Sequence, residues 1–172
     1  MHNRLAIAYI ESPIGELGLA AGEHGLIALT FSTPLDRLLP GLLKQRRDQG
    51  RGRLKPWDVL EQACHEVAEY MMNAREKFET PLDLSTGTEF QRTVWRRLQR
   101  VAFGKPTTYQ ELAAAVGRPA AARAIGNAVG SNPLPILIPC HRVLAAGRSL
   151  GGFSGGLKVK KQLLAIEGID YK

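Results

Sequence analysis

The stretch Leu134-Pro135-Ile136-Leu137-Ile138-Pro139-Cys140-His141-Arg142-Val143 constrains this chain more than any other. Proline fixes φ and donates no backbone hydrogen bond, so Pro135 and Pro139 exclude a regular helix between them. The apolar residues they bracket are expected to be buried and extended. The segment therefore delivers a Cys-His pair into the interior, immediately after a rigid residue. A buried cysteine is usually an inert small hydrophobe. That reading suits Cys64, which falls on the apolar stripe of a predicted helix. Cys140 has different neighbours. A thiol is a strong nucleophile only as the thiolate, which needs a base and positive surroundings. His141 can supply the base, with Arg142 and Arg148 as the nearby charges.

The rest of the chain divides in two. Leu5, Ile7 and Tyr9 alternate, Ser12-Pro13-Ile14-Gly15 turns, Leu17 and Leu19 continue, Gly22 to Gly25 turns again, and Leu26 to Phe31 follows. This pattern predicts a three-stranded antiparallel meander. Residues 40–56 read as a polar, poorly ordered connection. A helix is predicted from Trp57 to Asn73, with Leu60, Cys64, Val67 and Met71 on one face. Pro81 to Gly87 reads as a linker. Beyond it, Thr88-Glu89-Phe90-Gln91 and Thr108-Tyr109-Gln110-Glu111 carry capping-box spacing, each opening a helix. The second of these helices stops at Gly117, and Pro119 suits the first position of another, Ala120 to Val129. Two short helices around a glycine turn make a helix-turn-helix candidate. The expected class is mixed α/β of the α+β kind, with domains at 1–87 and 88–172.

Charge follows the same division. Residues 1–87 hold 10 Lys+Arg against 12 Asp+Glu, a net of −2, and residues 88–172 hold 13 against 4, a net of +9. A basic half attached to a near-neutral one points the second half toward phosphate. The helix at 120–129 is rich in small residues, Ala120, Ala121, Ala122, Ala124, Gly126 and Ala128, with Arg123 its only long cation. Such a surface admits close approach, and the arginine fits a probe entering a groove. No apolar run is long enough to span a membrane. The Leu5 to Ile10 stretch, followed by Glu11, is no secretory signal. Two cysteines give no disulfide framework, so a free thiol can persist and a cytoplasmic location is expected.

Pro139-Cys140-His141-Arg142-Val143 resembles the active-site signature of the O6-alkylguanine-DNA alkyltransferases. Asn132-Pro133 upstream, Ser154-Gly155-Gly156 downstream and the Lys160 to Gly168 helix match the same family in order. The resemblance runs closely from Phe90 to Gly168 and more weakly over the meander. It implies a ribonuclease H-like N-terminal domain and a helical C-terminal domain with a winged helix-turn-helix-like motif. It further implies DNA repair by single, irreversible transfer of an alkyl group from O6 of guanine to Cys140, with O4-alkylthymine as a second candidate lesion. His141 would deprotonate Cys140 through a water, Glu167 would orient His141, and Asn132 would act as hinge. Tyr109 would assist protonation of the leaving guanine, and Lys160 would brace the cysteine loop. Val143, Phe153, Ser154 and Gly155 would line the guanine pocket.

Double-stranded DNA is the partner that the resemblance implies. The helix-turn-helix would enter the minor groove, with Arg123 filling the space of the flipped base and Ala124, Gly126, Gln91, Arg92 and Tyr109 beside it. Binding should be dominated by phosphate contacts. A monomer that can cluster on DNA is expected, on the nucleoid if the source is prokaryotic. Phe153 stands where the family often has tyrosine, which removes a hydroxyl near O6. No cofactor is required by this chemistry. No zinc is expected either, because Cys64, His2, His24 and His65 have no ligand spacing. A Cys-His hydrolase would need an oxyanion hole, and a lesion-binding relative without repair activity would lack the cysteine.

Overall fold

The computed structural model describes residues 5–45 and 52–172, so residues 46–51 of the predicted 40–56 connection lie outside them. The chain forms two compact units, Met1–Thr88 and Glu89–Lys172. The whole is mixed α/β. Among the described residues no helix is long and apolar enough to cross a membrane.

In the first unit, β1 (Ala6–Ile10), β2 (Leu17–Gly22) and β3 (Gly25–Phe31) form the meander that the alternation predicts, antiparallel and in the order β1-β2-β3. Its first turn is closed by Gly15 N donating to Ser12 O at 3.0 Å. The large side chains of β1 face outward: Ile7 and Tyr9 are 40% and 50% exposed, while Ala6 is buried. Ala6, Ala8 and Ile10 occupy the other side of this strand, and the long helix α2 (Pro56–Met71) packs against it. Part of the supposed polar connection is in fact helix α1 (Leu35–Gln45). Leu35, Leu38, Leu39, Leu42 and Leu43 recur at helical spacing and pack on Ala20 and Ala28, which outweighs Pro40 and the polar content that suggested a loop.

Helix α2 (Pro56–Met71) begins on its proline and buries Val59, Leu60, Ala63, Val67 and Tyr70. Glu66 lies among them. Its carboxylate accepts from Gln62 Nε2 at 2.9 Å, from the backbone of Glu79 and Thr80 at 3.0 and 3.1 Å, and from Thr80 Oγ1 at 2.8 Å. Glu66→Ala would strand three of those donors near the core. A loss of about 3 kcal/mol is expected in urea unfolding, whereas Glu66→Gln, which keeps one acceptor oxygen, should lose less. The predicted linker also has structure. Residues 81–83 run along the edge of β3, with Leu26 N donating to Pro81 O and Asp83 N to Leu26 O, both at 2.8 Å. Gly25 permits this approach: at φ +140° it has no Cβ, which would lie 2.6 Å from Pro81 O.

The second unit contains α3 (Glu89–Leu98), β4 (Thr107–Thr108), α4 (Tyr109–Ala115), α5 (Ala122–Gly130), β5 (Val143–Leu144) and α6 (Leu157–Ile166). Helix α3 packs on α5, and its buried Trp95 donates Nε1 to Ala128 O at 2.8 Å. The capping box at Thr108 forms in both directions with Glu111. Helix α4 ends in a Schellman motif, with Gly117 at φ +74° and Arg118 N bonded to Ala113 O at 2.9 Å. Helix α5 starts later than its proline suggests. Pro119 and Ala120 lie in a turn closed by Ala121 N to Arg118 O at 2.9 Å, and Ala122 is the first helical residue. The helix-turn-helix is therefore α4, that turn and α5.

Candidate active site

The proline-bracketed segment is buried as expected, but it is folded and not extended. Ile138 N donates to Leu134 O at 2.8 Å, and Ile136 sits in the left-handed region at φ +75°. Asn132 explains the difference. Its Oδ1 accepts from Leu134 N at 2.9 Å and its Nδ2 donates to Ile138 O at 2.8 Å, so one buried side chain closes the loop from both ends. Pro139 then has φ −77° and ψ 64°, an inverse γ-turn in which Cys140 N donates to Ile138 O at 2.7 Å. Cys140, His141 and Arg142 form one turn of 3₁₀ helix directly after it. The rigid delivery of the cysteine thus comes from a tight turn, with the ring of Pro139 fixing its φ.

Both Cys140 and His141 are buried. Burial pushes the Cys140 thiol up to about 11, against hydrogen bonding from Asn132 and the charge of Lys160. Burial also pushes His141 below its ordinary range, outweighing Glu167. His141 Nε2 lies 2.5 Å from Glu167 Oε1. An ionised carboxylate only accepts, so Nε2 carries the proton and Nδ1 is the nitrogen left to act as base. Glu167 caps the C-terminus of α6, held there by a Schellman motif in which Ile169 N bonds Leu164 O at 2.9 Å and Gly168 adopts φ +64°. A carboxylate at a helix C-terminus faces the negative end of the dipole. Burial raises its pKa too, yet hydrogen bonds from His141 and Arg142 hold it down at about 2.

Lys160, on the first turns of α6, is fully buried and donates Nζ to Val143 O at 2.7 Å and Gly152 O at 3.1 Å. Burial lowers it to about 8, with Cys140 pulling the other way. Lys160 is therefore the cation that acts on the thiol. Arg142 is engaged by Glu167 and Arg148 is exposed, which corrects the sequence-based choice of Arg142 and Arg148 as the positive surroundings. Tyr109 opens α4 directly after β4, and β4 pairs in parallel with β5, the strand that follows the cysteine turn. Its phenol is raised by burial and by Cys140. The ring packs near Gly126 of α5 and Gly151.

The remaining candidates are dispersed. Val143 is buried beside the cysteine turn; Phe153 is half-buried and its carbonyl accepts from Gly156 N at 3.1 Å; Gly155 is half-buried and Ser154 exposed in the same turn. Arg123 and Ala124 are exposed on the first turn of α5. Gln91 donates Nε2 to Ser131 Oγ at 2.9 Å, tying α3 to the end of α5, and Arg92 is half-buried. Sequence reasoning gives no role to Trp95 and reads Gly104 only as the end of a helix running through Val101. The structure ends α3 at Leu98 and places Gly104, at φ +72°, in the turn beyond it, where its N donates to Glu167 Oε2 at 3.1 Å. Every residue other than proline carries a backbone N–H, so the contact from Gly104 N to Glu167 leaves no side-chain signal in the sequence.

A helix-turn-helix unit carrying its own buried Cys-His-Glu group defines a class: a DNA-binding protein whose thiol takes part in chemistry. Comparison with known proteins narrows it. Residues 89–169 match the family model described as 6-O-methylguanine DNA methyltransferase, DNA binding domain, and residues 5–84 match the ribonuclease-like domain of the same enzyme. A methylated-DNA–protein-cysteine methyltransferase of Haemophilus influenzae is 51% identical over 97% of this chain and 88% of its own length. The enzyme of that name from Methanosarcina barkeri is 37% identical over 92% and 94%. The crystal structure of Mycobacterium tuberculosis OGT in complex with DNA superposes with a TM-score of 0.75 at 34% identity, covering 92% of this chain and 90% of that one. The chain belongs to the 6-O-methylguanine DNA methyltransferase family.

Proposed function

We propose that this protein repairs DNA by moving the alkyl group of O6-alkylguanine onto Cys140 Sγ, once per molecule. The observation that carries this reading is the 2.5 Å contact between His141 and Glu167 beside a buried thiol. It orients a base for a thiol on which burial holds the proton. The proton leaves Sγ toward His141 Nδ1 through a water, and sulfur attacks the alkyl carbon. The bond from that carbon to O6 breaks, leaving its electron pair on guanine, which takes up a proton with Tyr109 assisting. The thioether has no return route, so the protein is consumed.

The reacting carbon lies within the base stack, so the nucleotide must rotate out, at a few kcal/mol of unstacking. Arg123 on the exposed start of α5 would offset part of this by occupying the vacated space. Ala124, Gly126, Gln91 and Arg92 would lie along the minor groove, and Val143, Phe153, Ser154 and Gly155 would frame the flipped base. The protein would act as a cytoplasmic monomer able to cluster on DNA, with the unit of residues 1–87 as structural support. Intact-protein mass after incubation with excess duplex containing O6-methylguanine tests the reading. One added methyl per molecule, absent in Cys140→Ala, is expected. Repeated repair at unchanged protein mass would overturn it.

A further inference from the structure

Arg142 has no part in the transfer described above, yet it makes more contacts with Glu167 than His141 does. Its Nε donates to Glu167 Oε2 at 2.8 Å and its Nη2 to Oε1 at 3.0 Å, a bidentate pair in a site where neither side chain is more than 5% exposed. Its Nη1 donates to the carbonyl of Val101, and the guanidinium lies 5.9 Å from the centre of the Phe103 ring. Gly104 N completes the set on Oε2 at 3.1 Å. Glu167 is thus tied to the turn that follows α3 as firmly as to the histidine it faces.

Such a clamp changes what the carboxylate can do for its histidine. A buried Glu-His pair without further charge favours imidazolium, because the ion pair is neutral overall. Here the guanidinium already balances the carboxylate, so an imidazolium would add an excess cation with Lys160 also nearby. We infer that Arg142 is a positioning residue that keeps the His141–Glu167 pair in its neutral-imidazole resting state, so that Cys140 waits as a thiol and loses its proton only during transfer. The inference rests on the alkyl-transfer reading and deepens it. The groups facing His141 are Cys140 and Arg142 from its own turn, Glu167 and Lys160 from α6, and Tyr109 of α4 by way of Cys140. Of these only Glu167 favours its charge, and burial, Arg142 and Lys160 all oppose it.

This state differs from the thiolate–imidazolium pair of reactive cysteine enzymes, in which the thiol pKa is low before substrate arrives. A neutral resting pair leaves the sulfur inert toward chance electrophiles, which suits a protein that can react only once. The proton balance is unchanged by it: one proton leaves Cys140, one arrives on the guanine, and Arg142 exchanges none.

Single-turnover methyl transfer, followed by intact mass across the range in which histidine titrates, separates this role from mere support. In Arg142→Gln the Glu-His pair regains its affinity for a proton. The acid limb of the rate is expected to move up by about one unit, so that the variant is about tenfold slower on that limb and converges on the wild type above it. Arg142→Lys keeps the charge and should restore most of the wild-type limb. A rate depressed equally at every pH in Arg142→Gln overturns the inference. Should that variant fail to fold, the histidine ring resonances of the wild type decide. His141 is expected to stay neutral through the ordinary histidine range near ~6.5, and an imidazolium there overturns the inference without reference to activity. A wild type that transfers no methyl at all counts instead against the alkyl-transfer reading.

Discussion

Replacing Glu167 with Gln is expected to slow alkyl transfer by about a hundredfold or more and to destabilise the second unit by about 3–5 kcal/mol. Four hydrogen bonds converge on the native carboxylate: one from His141, two from Arg142 and one from Gly104 N. All of these partners donate, and an amide can accept at only one of its two ends. If the Gln oxygen turns toward His141, its NH₂ confronts Arg142 Nε and Gly104 N. If it turns the other way, the NH₂ meets His141 Nε2, which must then give up its proton and move it to Nδ1, the nitrogen needed as base. Either arrangement leaves the Arg142 charge buried without a counter-ion, which is the source of the large stability loss. The wild type carries a matching signature in acid. The folded pKa of Glu167, about 2, lies below the ordinary 4.5. Its contribution is therefore complete above 4.5 and disappears as pH falls from there toward 2. Urea unfolding at several pH values, beside single-turnover kinetics, checks both effects. A Gln variant as stable and as fast as the wild type would mean that Glu167 does not orient His141.

What the sequence made legible was mostly local. The three strands follow from alternation and two turns, and the α4 N-terminus follows from four consecutive residues, Thr108 to Glu111, whose two hydrogen bonds form as the spacing predicts. Cys140 and His141 are adjacent in the chain, so the thiol and its base could be paired on sight. Contacts between distant residues left no such trace. Glu167 stands 26 residues from His141, and it entered through resemblance, because a lone glutamate near the end of a helix carries no pattern of its own. Arg142 reads as a general positive charge, since nothing in Cys-His-Arg-Val indicates that its guanidinium turns away to Glu167.

Two misreadings share a physical cause. Pro40 and the polar residues that follow mask helix α1 in the sequence, although Leu35, Leu38, Leu39, Leu42 and Leu43 have helical spacing; packing on Ala20 and Ala28 overrides the local signal. In the same way the run between Pro135 and Pro139 reads as extended from φ restriction alone. The structure closes it because a side chain, Asn132, supplies the donor and acceptor that a strand partner would otherwise provide. Buried Glu66 on α2 is illegible for the complementary reason: helical periodicity marks the face that a residue occupies, and the backbone amides of Glu79 and Thr80 that satisfy it lie elsewhere in the chain.

Asn132→Ala is expected to lower the transfer rate at least about as far as loss of a general base does, a hundredfold or more, with a smaller stability loss of about 1–3 kcal/mol. Truncation orphans the buried Leu134 N–H, whereas Ile138 O keeps its bond from Cys140 N. The larger effect comes through Ile136. A β-branched residue at φ +75° is held in a conformation it rarely adopts, and such strain persists only while its surroundings enforce it. Asn132 enforces it from both ends of the loop, so its removal lets 134–138 relax and shifts the turn that carries Cys140 and His141 away from Glu167 and Lys160. It also removes the hydrogen bond that favours the thiolate. Asn132→Asp separates these contributions. An ionised aspartate still accepts from Leu134 N, so much of the stability should return. It has no donor for Ile138 O, however, and it brings a negative charge to a sulfur that must itself become negative, so the rate should stay low and recover least at neutral pH. Thermal unfolding and single-turnover transfer measured on both variants give the comparison. Full activity in Asn132→Asp would show that the donor half of the clamp is dispensable, and the loop would then owe its shape to the packing of Leu134, Ile136 and Ile138 alone.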